Sequence, residues 1–329
     1  MSMRVLVTGA AGFVGTHVAK ALLARGSLVD SAGRARTIGE LVLADAQAPG
    51  PDAAAAGDPR TRFEAGDLRD PEFLRHLVGD GVDSVFHLAA TLTMEAETDF
   101  ARGLEVNVHA LMGLLEALRA QRHAAKFVYP GSIAAFGGDL PDTVDDSLAQ
   151  TPQTSYGTHK AIAELLISDY ARHRFVDGRA LRLPVVLVRP GAPVPAVSDR
   201  IAAIVREPLY GRDVACPLAA ATRVPVASAR RVAAALLAIH DLPATAFGAS
   251  RAMNLPSLTV SVGDMIASLR RCAAGRRVGE ARIEPDAALQ AVVDGWPSAF
   301  VSHRASRHGI VADADFDEIV RAFIEDYLG

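Results

Sequence analysis

The chain has 329 residues and a net charge of −4, and half of it is hydrophobic. This composition supports a sizeable core and about two domains, and it excludes both disorder and a basic face for nucleic acid. Two cysteines, Cys216 and Cys272, give neither a disulfide framework nor metal-ligand spacing, so no metal is expected. The longest apolar run, residues 232–239, is too short to span a bilayer, and the first strand begins at Arg4 with no room for a leader. The expectation is a cytoplasmic protein that does not engage a membrane.

Residues 4–8 read as a short apolar strand. Gly9-Ala-Ala-Gly12-Phe-Val-Gly15 follows directly, then an apolar helix over 13–23 that stops at Gly26. Strand, glycine turn and helix in that order suit a dinucleotide. Gly9 makes the turn, Gly12 lets backbone approach a pyrophosphate, and Gly15 lets helix pack on strand. The phosphates would sit at the helix N-terminus, where free N–H groups and the dipole favour anions. The second strand should end in an acid that holds the ribose hydroxyls. Residues 41–45 end in Asp45, later after Gly15 than the usual ~20 residues, so 27–37 read as an insertion. Asp30, after the weaker run Leu28-Val29, is the rival acid. No arginine follows Asp45 directly, which favours NAD over NADP. Residues 48–57, rich in Pro, Ala, Gly and Asp, read as a loop.

A third strand ends at Gly66-Asp67-Leu68, where Asp67 either meets the adenine amine or caps a turn. Asp70-Pro71 opens a helix as N-cap and first residue. Residues 84–88 form a fourth strand, followed by Ala89 and Ala90, small enough for a cofactor to lie against backbone. His87 reads as a packed strand-end histidine. A helix over 105–118 carries Asn107, a poor helix-interior residue with a side-chain role or simple solvation as its reason. The fifth strand, 126–129, runs into Pro130-Gly131-Ser132-Ile133 at its C-terminal end, where parallel sheets place ligand chemistry.

Thr154 or Ser155 caps an amphipathic helix with Ala161, Ile162, Leu165 and Leu166 at helical spacing. On it Tyr156 and Lys160 lie one turn apart. A phenol beside an ammonium has its ionised form favoured, as a general base for a hydroxyl requires. A sixth strand over 180–188 ends in Arg189-Pro190-Gly191. Alternating strands and helices predict an α/β chain, a Rossmann doubly wound parallel sheet with a smaller C-terminal α+β lobe. The expected boundaries are 1–188 plus 228–256 for the nucleotide-binding domain and 189–227 plus 257–329 for the substrate lobe. Pro193, Pro195, Pro208, Pro217 and Pro225 are expected to break that lobe into short pieces. Helices are expected over 229–240, 260–271 and 316–327.

With Gly9, Gly12, Gly15, Asp67, Asn107, Ser132, Tyr156 and Lys160 placed, the chain resembles the extended short-chain dehydrogenase/reductase family over essentially its full length. The resemblance implies a catalytic tetrad of Asn107, Ser132, Tyr156 and Lys160. Tyr156 would take the proton from the substrate hydroxyl as hydride leaves for the nicotinamide, and Ser132 would hydrogen-bond that oxygen. Lys160 would lower the tyrosine pKa and grip the nicotinamide ribose, and Asn107 would hold a water leading protons to Lys160. NAD would be held by Gly9, Ala11, Gly12, Phe13, Val14, Gly15, Asp45, Asp67, Leu68, Leu88, Ala89 and Ala90, together with Asn107, Tyr156 and Lys160. A homodimer would form through helix stripes at Leu111, Leu114, Leu115 and Ile162, Leu165, Leu166, which core burial also explains.

Residues 132–137, 151–157, 175–184, 189–191 and 206–209 are similar to the D-erythronate dehydrogenase group, which oxidises the 2-hydroxyl of a four-carbon sugar acid. This likeness implies a small sugar-acid substrate met by Thr91, Thr93, Ser132, Ile133, Arg189 and Arg223, with either arginine on its carboxylate. The sequence departs from the group at Gly131, where a paired hydroxyl residue is expected, in the apolar run Ala192-Pro-Val-Pro-Ala196, and at Val224-Pro225. A less polar 2-hydroxy acid is therefore an open alternative. A nucleotide-sugar epimerase with tightly bound NAD is another, although Ala192 stands where such enzymes place an asparagine on the diphosphate. A non-catalytic nucleotide sensor would not need Ser132, Tyr156 and Lys160 together.

Overall fold

The computed structural model describes residues 2–47, 55, 57–79, 81–121, 123–194, 196–273 and 275–329. In chain order the elements are β1 (Met3–Thr8), α1 (Phe13–Arg25), β2 (Ser27–Val29), β3 (Ala35–Asp45), β4 (Thr61–Ala65), α2 (Pro71–Val78), β5 (Ser84–His87), α3 (Thr93–Thr98), α4 (Phe100–Leu104), a π-helical turn (Glu105–His109) and α5 (Ala110–Arg119). Then come β6 (Lys126–Ser132), β7 (Thr143–Val144), α6 (Ser155–Arg172), β8 (Asp177–Leu183), β9 (Val185–Leu187), α7 (Val197–Leu209), β10 (Val214–Cys216), β11 (Arg223–Ser228) and α8 (Ala229–Asp241). The chain closes with β12 (Ala252–Asn254), β13 (Leu258–Ser261), α9 (Val262–Cys272), β14 (Ala281–Ile283), α10 (Ala287–Asp294), β15 (Ala299–Phe300), α11 (His303–Arg307) and α12 (Phe316–Tyr327). Two compact units result. The first comprises Met1–Ser132, Thr154–Arg182 and Ala233–Met253, and the second Ile133–Gln153, Leu183–Val232 and Asn254–Gly329.

The first unit is built on a sheet of order β12-β8-β6-β5-β1-β3-β2, with β4 also on β3. β1 runs parallel to β3 and to β5, and β5 parallel to β6. Strands buried on both faces read as continuous apolar runs, and Val5, Leu6 and Val7 are fully buried. The register sets Thr8 level with Ala44 on one side and His87 on the other. The carboxyl ends of β1, β3 and β5 therefore open into one crevice, at the point where strand order leaves β1 in both directions. Leu74 and Leu77 of α2, Leu111, Leu114, Leu115 and Leu118 of α5, and Ala163 and Ile167 of α6 pack together with sheet residues. The α5 stripe expected at a dimer seam is thus buried inside this core, whereas Leu165 on α6 is 69% exposed.

The long gap between Gly15 and Asp45 is a hairpin: β2 lies antiparallel on the first residues of β3, and β4 lies parallel on its last. Asp30 turns this hairpin, its carboxylate accepting from the Ala32 and Arg34 amides at 2.9 and 3.0 Å. It is a turn residue, and Asp45 occupies the strand end. The loop expected over 48–57 lies almost wholly outside the described residues.

Three expected elements differ. The strand read over 180–188 is two: β8 belongs to the large sheet, whereas β9 pairs with β11 in another. Pro184 stands between them, where it brings no N–H to a ladder. The helix over 105–118 begins as a π-helical turn before α5 takes over. The prolines do not fragment the second unit as expected, because α7 runs 13 residues with Pro208 in its last turn. Its apolar face, Ile201, Ile204, Val205 and Leu209, is buried with Met265 and Leu269 of α9 and Phe316, Val320 and Phe323 of α12. Pro225 sits within β11, between β9 and β13. Among the described residues no helix is long and apolar enough to cross a membrane.

Candidate active site

The glycine turn is fixed by close packing. Gly9 has φ +68°, and a Cβ on it would stand 2.5 Å from the Ala89 nitrogen; one on Gly15 would stand 2.1 Å from the Gly9 oxygen. Only glycine fits either place. Gly12 is the N-cap of α1, with no side chain capping the helix and no acid in its first turn. The first N–H groups of α1 are thus left without a side-chain acceptor from their own helix and suit an anion. Asp45 stands beside this turn: Oδ2 accepts from the Ala11 amide at 2.9 Å and Oδ1 from that of Gln47 at 3.2 Å. Carboxylate lone pairs remain for ribose hydroxyls. Donor-rich helix terminus and flanking acid fit a dinucleotide. Asp67 is tied down, since Arg69 forks onto both its oxygens and also reaches Glu105 at 2.8 Å. The guanidinium holds its carboxyl below the ordinary value.

α6 starts at Thr154, whose side chain accepts from the Gly157 amide. Three successive turns of one face, Tyr156, Lys160 and Glu164, meet the end of β6. Ser132 hydrogen-bonds the Tyr156 hydroxyl. Lys160 Nζ donates to the Pro130 carbonyl at 2.9 Å and lies 4.4 Å from the Tyr129 ring centre and 5.5 Å from that of Tyr156. Burial pushes Lys160 down to about 7, against the pull of the Glu164 charge. Burial also pushes Tyr156 up to about 12, against the Ser132 hydrogen bond. The ammonium alone, which the residue spacing credits with favouring the phenolate, therefore does not set this balance: desolvation works against both charged forms.

Glu164 carries no motif that marks it in the sequence, although it follows Lys160 by one helical turn. Its carboxylate pairs with Arg182 of β8 at 2.9 Å, and both side chains are almost fully buried. His87 is a buried neutral ring, pushed down to about 3 by burial and the Lys160 charge. Its Nδ1 lies 2.7 Å from Thr8 Oγ1.

Asn107 sits in the π-helical turn, a feature that recurs at functional sites. Its Oδ1 accepts from the Thr91 amide at 2.8 Å, and Nδ2 donates to Thr91 Oγ1 at 3.0 Å. Nδ2 also lies 3.3 Å from Nδ1 of His159, a residue that sequence reasoning does not single out. The Asn107 amide is thus hydrogen-bonded to both Thr91 and His159.

The chain is similar to known proteins over most of its length. Residues 5–250 match the model of the NAD dependent epimerase/dehydratase family. The chain belongs to that family. D-erythronate dehydrogenase of Cupriavidus necator is 43% identical over 324 residues, 98% of each chain. The enzyme of the same name from Haemophilus influenzae is 36% identical over 323 residues, 98% of this chain and 99% of that one. The crystal structure of a nucleoside-diphosphate-sugar epimerase from Agrobacterium tumefaciens superposes with a TM-score of 0.91 at 35% identity, over 100% of this chain and 95% of that one. This chain is an NAD-dependent enzyme of the epimerase/dehydratase family.

Within this epimerase/dehydratase chain the expected substrate residues fall in both units. Thr91 and Ser132 belong to the first, and Thr93 opens α3 there. Ile133, Arg189 and Arg223 belong to the second. Arg189 Nη1 donates to the Ala192 carbonyl at 2.8 Å and lies 3.4 Å from Asp199. Asp199 in turn is gripped by the fully buried Arg206 at 2.7 and 3.1 Å, so Arg189 braces its own loop. Arg223 opens β11 and is exposed. Pro195, in the apolar run after Gly191, lies outside the described residues.

Proposed function

We propose that this chain oxidises the 2-hydroxyl of a small sugar acid, D-erythronate or a close analogue, to the 2-oxo acid with NAD. The observation that carries this reading is the cluster of Ser132, Tyr156 and buried Lys160 at the end of β6. Its choice of substrate rests on relatives named D-erythronate dehydrogenase. Tyr156, as the phenolate, takes the hydroxyl proton at Oη and becomes the neutral phenol, Ser132 orients the substrate oxygen, and the protonated Lys160 favours the phenolate before the transfer. NAD supplies the acceptor for the hydride leaving the same carbon. The first turn of α1 would hold its pyrophosphate and Asp45 its adenosine ribose, with Ala89 and Ala90 leaving room for it against the backbone. Of the two candidate arginines, Arg223 is the one assigned to the substrate carboxylate, since it is exposed while the Arg189 guanidinium is engaged by the Ala192 carbonyl. Asn107 acts by fixing Thr91.

The test is NADH formation across C3 to C6 2-hydroxy acids, D-erythronate included, with NADP in parallel. Turnover on erythronate with NAD supports the proposal. Turnover on another acid alone moves the substrate assignment to the run after Gly191. The name of the Agrobacterium structure favours one other reading, epimerisation of a nucleotide sugar with retained NAD. No turnover across the panel, with a melting temperature raised by UDP-sugars, would select it.

A homodimer is also proposed, supported by Leu165 at 69% and Met112 at 40% exposure on α6 and α5. Light scattering decides, and a monomer mass rejects it.

A further inference from the structure

Asn107 cannot be oriented freely. The Thr91 amide can only donate, so the atom facing it at 2.8 Å is Oδ1, and Nδ2 faces Thr91 Oγ1 and His159 Nδ1. Nδ2 only donates. His159 Nδ1 must therefore be bare, with the ring proton on Nε2. Packing fixes the ring in this pose, since it is 1% exposed, its centre lies 6.2 Å from that of Phe100, and a Cβ on Gly103 would stand 3.3 Å from Cε1. Glu97 of α3 accepts from the Ser155 amide and so fastens α3 to the start of the helix carrying His159. Burial lowers the proton affinity of the imidazole while the Glu97 charge raises it, so the neutral ring follows from burial as well as from geometry.

We infer that His159 is a positioning residue, whose bare Nδ1 locks the Asn107 amide and through it Thr91 and the loop leaving β5. The inference deepens the proposed reading of the site, because that loop carries Ala89, Ala90 and Thr91, the residues assigned to cofactor and substrate. His159 takes no part in the proposed proton and hydride transfer. It acts at one remove, by deciding which way Asn107 faces.

Two variants separate acceptor from bulk. His159→Leu keeps apolar volume and removes the acceptor; His159→Asn can place Oδ1 where Nδ1 stands. With one hydrogen bond to Asn107 lost, exchange of the Thr91 amide with solvent, read by NMR, should quicken about tenfold in His159→Leu and stay near wild type in His159→Asn. In parallel, kcat should fall about tenfold in His159→Leu with the Kd for NAD little changed, and recover in His159→Asn. Equal Thr91 exchange in wild type and His159→Leu would overturn the inference, as would an equal loss in both variants, which marks packing alone. If the wild type oxidises no acid on the panel, the substrate reading fails while the Thr91 exchange still decides the role of His159.

Discussion

Gly131 and Glu164 share a space that admits only one of them a side chain. A Cβ at Gly131 would lie 2.5 Å from Glu164 Oε1 and 3.0 Å from Arg182 Cγ. The glycine that replaces the expected hydroxyl residue beside Ser132 is thus the counterpart of a buried ion pair. Gly131→Ser should cost about 1–3 kcal/mol, because the pair cannot move aside without losing its geometry. A calorimetric melting temperature equal to wild type would contradict this packing.

Tyr156→Phe removes one oxygen and leaves the ring under Lys160. NAD binding by calorimetry should stay near wild type, while oxidation falls about 100- to 10,000-fold, the range for losing a general base. Turnover within a few-fold of wild type would assign the base elsewhere.

Lys160 carries a pH signature in stability. Its folded value is about 7 against the ordinary 10.5, the depressed sense for a base. Between those values the unfolded chain binds the proton and the native chain does not, so wild-type stability falls as pH drops from about 10 to about 7. Below about 7 both states are protonated and the penalty stays constant. Lys160→Met has no such titration. Its melting temperature relative to wild type should therefore climb as pH is lowered from about 10 to about 7 and level off below. A difference independent of pH would mean that the folded lysine titrates normally.

Arg189 and Arg223 should separate kinetically. Arg223→Met should raise KM for the acid about 10- to 100-fold, the cost of one charge-assisted hydrogen bond. Arg189→Met leaves buried Asp199 with Arg206 and the Val194 amide and should act first on melting temperature. A KM effect confined to Arg189→Met would reverse the assignment.

The features legible in the sequence are local ones. The glycine turn, the Thr154 and Asp70 caps, and the Tyr156–Lys160 spacing each depend on a few adjacent residues, and each is present as expected. Asp45 could be chosen over Asp30 because its strand is the more apolar. What stayed hidden depends on distant partners. His159 meets Asn107 across 52 positions, and Arg182 meets Glu164 across 18. The π-helical turn at Asn107 has no periodicity of its own, since one added residue leaves the apolar stripe of α5 intact. Pro184 was the available sign that residues 180–188 could not be one ladder, and a continuous apolar run concealed it.

The split partnership of β3 bears on the order in which the fold can form. Pairings of β1 with β3 and β5, and of β5 with β6, are parallel, so each waits on a long crossover. The hairpin of β2 and β3 closes over Asp30 to Arg34, a short loop whose closure is fast. The first residues of β3 can therefore be set before β1 arrives, and the strand that ends in Asp45 enters the sheet with its register already chosen at the far end. A mutation at Asp30 should accordingly slow refolding more than it speeds unfolding.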